Sequence, residues 1–211
     1  MKIVGVGHYS RTGKDSFANA LIASLKEQAP HLRVAKRPFA WKLKEIAHDL
    51  YGWAGLREPA YYDTPQGEVF RDIVLPLVGK TPVEIWCGVG NGMREQVYIG
   101  TWIDYLLRSD LGLDVVIVPD VRFANEVEAV ETEEDSILAK VVRPGYGPKN
   151  TKADRALLGY NGWNYVIGGS GRMDELHSWA ARLAAYLAGT GSQPFQSDDD
   201  RRFCMSVEVL P

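Results

Sequence analysis

The feature that most constrains this chain stands at its start. Residues 1–6 form a short, largely apolar run, with a strand expected over 2–6, a turn of small and polar residues follows, and Gly13 and Lys14 then open an amphipathic segment. The run suits a buried strand. Phe17, Leu21 and Leu25 recur at i, i+4 and i+8, so residues 13–28 read as a helix. A strand, a glycine turn and a helix in that order gather backbone N–H groups and the positive end of a helix at one point. The stretch Gly7-His-Tyr-Ser-Arg-Thr-Gly-Lys-Asp-Ser16 therefore reads as a loop for a triphosphate, with Gly13 permitting close backbone approach and Lys14 reaching the β and γ oxygens. It departs from G-x-x-x-x-G-K-[ST] twice. His8 occupies the first glycine position, with Gly7 one residue early, and Asp15 stands where the magnesium-binding hydroxyl usually sits, leaving Ser16 as the nearest hydroxyl. Asp15 reads equally as a metal-orienting acid or as a helix-start residue favoured by the dipole.

Downstream, the pattern alternates. A strand is expected over 32–36, a helix over 39–51 with Leu43, Ile46, Ala47 and Leu50 on one face, and a helix over 102–108. The run Val115-Val-Ile-Val118 within 114–119 suits a central parallel strand. An acidic helix over 123–134, strands over 137–142 and 165–167, and a helix over 174–187 complete the series. Strands alternating with helices imply right-handed βαβ units around a parallel sheet. Residues 52–100 are irregular, with short helical pieces over 70–77 and 82–86, and read as a substrate-facing subregion. Residues 143–150 are rich in Gly, Pro and Lys and read as a mobile loop. Beyond Gly189 the composition shifts to Gly, Ser, Gln, Pro and three aspartates, the mark of a linker with a docked or disordered end.

Several classes of function recede on composition. With 211 residues, 45% of them hydrophobic and 24% charged, one domain has core enough without metals or disulfides. A formal charge of −3 argues against a duplex nucleic-acid binder. Cys87 and Cys204 form no CxxC, as expected in a reducing, cytoplasmic compartment. The opening residues lack the basic start and long apolar stretch of an export signal, and no run approaches the roughly 18 apolar residues of a membrane helix. His8, His31, His48 and His177 show no metal-ligand spacing, and neither G-x-S-x-G nor G-x-G-x-x-G occurs.

Two further groups carry chemistry. Asp120 and Arg122 follow the most apolar strand, where ligands of open α/β sheets collect. An acid there holds water ligands of magnesium and Arg122 forks onto a phosphate, unless the two merely form a loop ion pair. Arg71, Arg94 and Arg143 supply the cations that phosphoryl transfer needs on its equatorial oxygens, though each also reads as a solvated surface residue. Trp102, spaced helically with Ile103 and Leu106, reads as core or as a platform for a base.

On these residues the chain resembles the bacteriophage deoxynucleoside monophosphate kinases across residues 1–187. Arg11-Thr-Gly-Lys-Asp-Ser16 is similar to that family's R-S-G-K-D-T, which also has Asp after Lys. Phe39-Ala-Trp-Lys-Leu-Lys-Glu45 resembles the segment after its second strand, and Val89-Gly-Asn-Gly-Met-Arg-Glu95 with Thr101-Trp-Ile103 its substrate-side helices. Val118-Pro-Asp-Val-Arg-Phe-Ala-Asn-Glu126 is similar to its P-D-x-R followed by an acid, and Val141-Val-Arg-Pro-Gly145 to its lid entrance. The chain departs from it after the lid, where Thr151-Lys-Ala-Asp154 replaces His-x-Ser-Glu, and at Gly168-Gly-Ser170, which replaces Asn-Asp-Gly.

The resemblance implies a P-loop kinase three-layer α/β sandwich over residues 1–190. Its sheet would be five-stranded and mostly parallel, with a substrate-binding helical insertion near 40–100, a lid near 143–160 and a tail over 191–211. It implies ATP and Mg²⁺ as cofactors, and γ-phosphoryl transfer to a (deoxy)nucleoside monophosphate in the cytoplasm, that of the host if phage-encoded. Arg11, Thr12, Gly13, Lys14, Asp15 and Ser16 would hold ATP, and Asp15, Ser16 and Asp120 the metal. Arg71, Arg94, Trp102 and Arg122 would hold the acceptor, while Lys14, Asp120, Arg122 and Arg143 would serve the transfer. The expected partners are small-molecule nucleotides, not nucleic acid or membrane, and a homodimer is compatible with the sequence. Dephospho-coenzyme A or phosphomevalonate as acceptor, or nucleotide binding without turnover, are the competing expectations.

Overall fold

Short stretches rich in apolar residues form the strands. In the computed structural model, which describes residues 1–7, 9, 11–109, 112–148, 155–168 and 170–206, with the backbone alone at 203, β1 (Lys2–Gly7), β2 (Val34–Lys36), β3 (Val115–Val118), β4 (Ile137–Val141) and β5 (Tyr165–Ile167) make one parallel sheet. Its order is β2-β3-β1-β4-β5. Every residue of β3, β4 and β5 is buried, as a sheet covered on both faces requires.

Eight α-helices lie among the described residues: α1 (Lys14–Gln28), α2 (Trp41–Tyr51), α3 (Pro65–Phe70), α4 (Pro82–Gln96), α5 (Thr101–Arg108), α6 (Ala124–Glu131), α7 (Met173–Leu187) and α8 (Asp198–Ser206). None is long and apolar enough to cross a membrane. The chain forms two compact units, Met1–Pro38 with Asp110–Pro211, and Phe39–Ser109.

In the sheet unit, α1 and α7 share one face. Phe17, Leu21 and Leu25 of α1 meet Leu176, Ala180, Leu183 and Leu187 of α7 over Val4, Val6, Ile117 and Ala139. On the opposite face α6 packs against β1 and β4, with Val127 and Val130 buried. The chain runs from β1 to the β2 edge, returns through β3 and then crosses to β4 and β5, so the adjacent exits of β1 and β3 lie where the strand order reverses. In open α/β sheets that is the place where ligands bind.

An ion pair ties the entries of β2 and β3. Asp114 accepts from the Arg33 backbone N–H at 2.8 Å and from its Nε and Nη2, both at 3.1 Å. These bonds hold the Asp114 carboxyl down at about 2, below its ordinary value of 3.8, the Arg33 side chain being the first cause. A depressed carboxylate stabilises the fold above its unfolded pKa, and that contribution disappears as pH falls from about 4 towards 2. Asp114→Asn therefore lowers the denaturation midpoint at pH 6 by more than at pH 2, a difference that denaturant titrations at the two values will measure.

The helical unit, Phe39–Ser109, differs from expectation in two places. No helix spans 70–77. There α3 ends at Phe70, Pro76 lacks the N–H a helix would need, and Leu75 instead turns inward and bridges antiparallel to Lys80. Conversely, the piece expected over 82–86 is the fifteen-residue helix α4. Its start is a capping box: the Glu84 N–H donates to Thr81 Oγ1 at 3.2 Å, and the Thr81 N–H donates to Glu84 Oε2 at 2.8 Å. Its three glycines weaken helix propensity, but packing outweighs them: Gly90 lies under Leu43 and its carbonyl accepts from Trp102 Nε1 at 3.1 Å. The unit's core joins Ala47, Leu56, Tyr62, Leu75 and Ile85, with Trp86 set edge-on to Tyr62 at 4.7 Å.

After Gly189 the described residues include an ordered element. Gln196 behaves as a one-residue strand beside β5: its Oε1 accepts from the Val166 N–H at 2.9 Å and its Nε2 donates to the Val166 carbonyl. Helix α8 follows, with Ser197 Oγ accepting from the Asp200 N–H at 3.1 Å at its start.

Candidate functional site

The turn between β1 and α1 is built around one carbonyl. Tyr9 is 2% exposed, and its backbone oxygen accepts from Thr12 Oγ1 at 3.2 Å and from Lys14 Nζ. The Lys14 side chain, 6% exposed, thus folds back over its own loop. Two residues take left-handed backbone: Arg11 at φ 63° and Gly13 at φ 104°. Gly13 carries that conformation without the Cβ penalty other residues meet. It also precedes α1 without a side-chain cap, so the first N–H groups of the helix face the turn. His8, the departure from the expected glycine, lies outside the described residues.

At the mouth of this turn Gly7 leaves no room for a side chain. A Cβ there would sit 2.4 Å from Trp163 Cη2 and 3.0 Å from the Val121 carbonyl oxygen. The indole of Trp163, 2% exposed, therefore lies on the backbone where β1 becomes the loop. Lys140, on β4 in register with Gly7, is 3% exposed, and its Nζ sits 5.2 Å from the centre of the Tyr9 ring. Neither Trp163 nor Lys140 stood out in the sequence, because nothing local marks a Trp or Lys that packs on a loop more than a hundred residues away in the chain.

The metal-ligand candidates separate here. Asp15 is exposed at the first turn of α1 and its Oδ1 pairs with Lys36 Nζ at 3.2 Å. Ser16 is half-buried one residue on. Asp120 is half-buried at the exit of β3, in a loop pinned to β1 by the Val121 N–H donating to the Val6 carbonyl at 3.3 Å. Arg122 is held at its backbone: Glu126, 3% exposed, accepts from the Arg122 N–H at 2.8 Å and the Phe123 N–H at 3.1 Å through Oε2. Glu126 thereby starts α6 and fixes the direction in which Asp120 and Arg122 leave the strand. Arg143 follows β4, exposed, with its guanidinium 4.4 Å from the Tyr146 ring centre.

The exits of β3, β1 and β4 are neighbours, so Asp120, Arg122, the residues from Arg11 to Ser16, and Arg143 share the carboxyl edge of one sheet. Part of the expected lid, residues 149–154, lies outside the described residues, and so does Gly169. Where the chain is described again, Tyr160 donates to Glu131 and stacks edge-on against Trp163 at 5.1 Å; burial first, and then Glu131, push its phenol well above the usual range.

The remaining candidates belong to the helical unit. Arg71 Nη2 donates to the Tyr62 carbonyl at 2.6 Å, and its Nε is buried without a hydrogen-bond partner. Arg94 is half-buried in the last turn of α4. Trp102 is 3% exposed and joins α5 to α4 through Gly90, so its ring serves as core of that unit.

Among the described residues no group of three or more His, Cys, Asp or Glu is arranged to hold a metal. A magnesium ion carried by a nucleotide needs no such cage, since one or two protein oxygens, waters and substrate phosphates complete its octahedron. Ser16 and Asp120 are suitable hard-oxygen donors on the sheet edge, and Asp15 becomes one on releasing Lys36. No family model matches the chain, and no curated protein matches it.

Proposed function

We propose that the chain is a P-loop kinase that transfers the γ-phosphoryl group of ATP to a (deoxy)nucleoside monophosphate, giving ADP and the diphosphate. The observation that carries this reading is the turn after the central strand. A buried lysine opens α1 there, folded back on a loop with left-handed backbone at Arg11 and Gly13, beside an acid and an arginine at the exit of the next strand. Those parts match what a triphosphate requires: donors from the backbone, a helix start and one mobile cation.

In this reading Lys14 leaves the Tyr9 carbonyl for the β and γ oxygens, and the first N–H groups of α1 receive the remaining charge. A bound magnesium ion would supply positive charge against that of the triphosphate. Ser16 and Asp120 would hold it, because Asp15 is engaged by Lys36. Arg122 and Arg143 orient and neutralise the phosphoryl groups, Arg122 from a backbone fixed by Glu126. A phosphate oxygen of the acceptor attacks the γ-phosphorus while the bond to the β-bridging oxygen breaks, and ADP departs with that electron pair. Catalysis of this kind is positioning and electrostatics, so no nucleophilic side chain is needed.

The test is an acceptor panel: protein, ATP and Mg²⁺ with each common deoxy- and ribonucleoside monophosphate, and with dephospho-coenzyme A and phosphomevalonate alongside. Diphosphate from one or more deoxynucleotides is expected. Product from the coenzyme A precursor or phosphomevalonate alone would move the chain to another small-molecule kinase, and ATP binding without any product would make it a non-catalytic binder.

A further inference from the structure

Helix α8 touches two residues that in turn touch the loop before α1. Arg201 forks onto consecutive carbonyls, with Nη1 donating to Asn164 at 3.2 Å and Nη2 to Trp163. Asn164 is already fixed on β4, its side chain accepting from the Leu138 N–H at 2.6 Å and its own N–H donating to the Leu138 carbonyl at 2.8 Å. Gripped from both sides, this short segment presents the Trp163 indole to Gly7. The second route runs through Lys140, whose Nζ donates to Met205 Sδ at 3.6 Å and faces the ring of Tyr9. Tyr9 is the residue whose carbonyl organises Thr12 and Lys14.

We infer that the C-terminal segment from Gln196 to Ser206 is a strap that sets the conformation of the phosphate loop, with Arg201 and Met205 as its positioning residues. The inference rests on the nucleotide-binding reading of that loop and adds a control to it. Gln196 closes the strap on the β5 edge, Arg201 steadies the start of the loop through Trp163, and Met205 steadies its middle through Lys140. A cover for a sheet edge needs only the Gln196 pairing and the buried Cys204. The polar contacts of Arg201 and Met205 reach inward, towards the residues that seat the loop, and exceed that need.

Arginine suits the first contact because its planar fork spans two carbonyls at once, which a lysine ammonium matches at one. A loop held by such non-local contacts has an opening free energy of its own, separate from that of the sheet beneath it. Loosening the strap therefore raises the loop's opening without melting the core.

The experiment is amide hydrogen exchange on the full chain without nucleotide, comparing wild type, Arg201→Ala, Arg201→Lys and Met205→Ala, followed by ATP·Mg²⁺ titration of each. Exchange at Tyr9 and at Arg11 to Lys14 is expected to rise about tenfold in Arg201→Ala and less in Arg201→Lys, with α1 and α7 unchanged. ATP affinity falls in the same order, and the thermal midpoint shifts by a few degrees at most. Acceleration confined to residues 190–206, with the loop at its wild-type rate, overturns the proposal. Met205 is half-exposed, so Met205→Ala decides the matter by the same criterion if Arg201→Ala does not fold. Because the exchange needs no ligand, a wild type that binds no ATP removes the nucleotide reading while the coupling of α8 to the loop is still decided.

Discussion

Lys14→Ala is expected to lower ATP-dependent diphosphate formation by at least about a hundredfold, as removal of a preorganised transition-state donor does. The fold should lose far less. Lys14 makes a hydrogen bond within its own loop, so its removal leaves the Tyr9 carbonyl with Thr12 as donor and costs about 1–2 kcal/mol. The divergence of the two effects is the point of the measurement. Lys14 is well buried, and a purely structural role would predict the reverse, a large fall in unfolding free energy with turnover reduced only in proportion to folded protein. Single-turnover rates and denaturant midpoints on the same preparation separate these outcomes, and turnover within tenfold of wild type would end the assignment of Lys14 to the transferring group.

Much of this arrangement was legible in the sequence for a definite reason. β3, β4 and β5 are buried throughout and β1 nearly so, and each reads as an apolar stretch, unbroken in β3 and β5, interrupted by Gly5 in β1 and by Lys140 in β4. Helices α1 and α7 bury one stripe against the sheet, and leucines at helical spacing betray it. Gly13 and Lys14 were legible because strand, turn and helix are contiguous in the chain. Elsewhere, long-range contacts replace local pattern. Helix α4 carries three glycines and stands on a Thr81–Glu84 cap and on the Leu43 and Trp102 side chains; the Thr-Pro-Val-Glu signature of that cap was the available clue. Helix α8 is almost wholly polar at its start, and what orders it are carbonyls of residues 163 and 164. Lys140 reads as an interruption of an apolar strand until Tyr9 and Met205 are placed beside it.

The same dependence on distant partners makes Gly7 a demanding position at the start of the loop. Gly7→Ala places a methyl group 2.4 Å from Trp163 Cη2 and 2.8 Å from its Cζ3, so either the indole or the loop must move. Overpacking of this kind costs about 1–3 kcal/mol, and the Val121 carbonyl on the other side, 3.0 Å away, closes the easy escape. The displaced element decides what else is lost. If the loop lifts, ATP affinity falls with stability; if the indole swings out, stability falls and affinity follows more weakly. Trp163→Phe removes the outer part of the indole and relieves the clash, while leaving a small cavity in an otherwise native protein. The double variant is therefore expected to be more stable than the sum of the two single losses by about 1 kcal/mol or more, the coupling of residues in direct contact. Urea titrations of the four proteins measure it. Additivity to within about 0.4 kcal/mol would mean that the Trp163 ring does not seat the loop at Gly7.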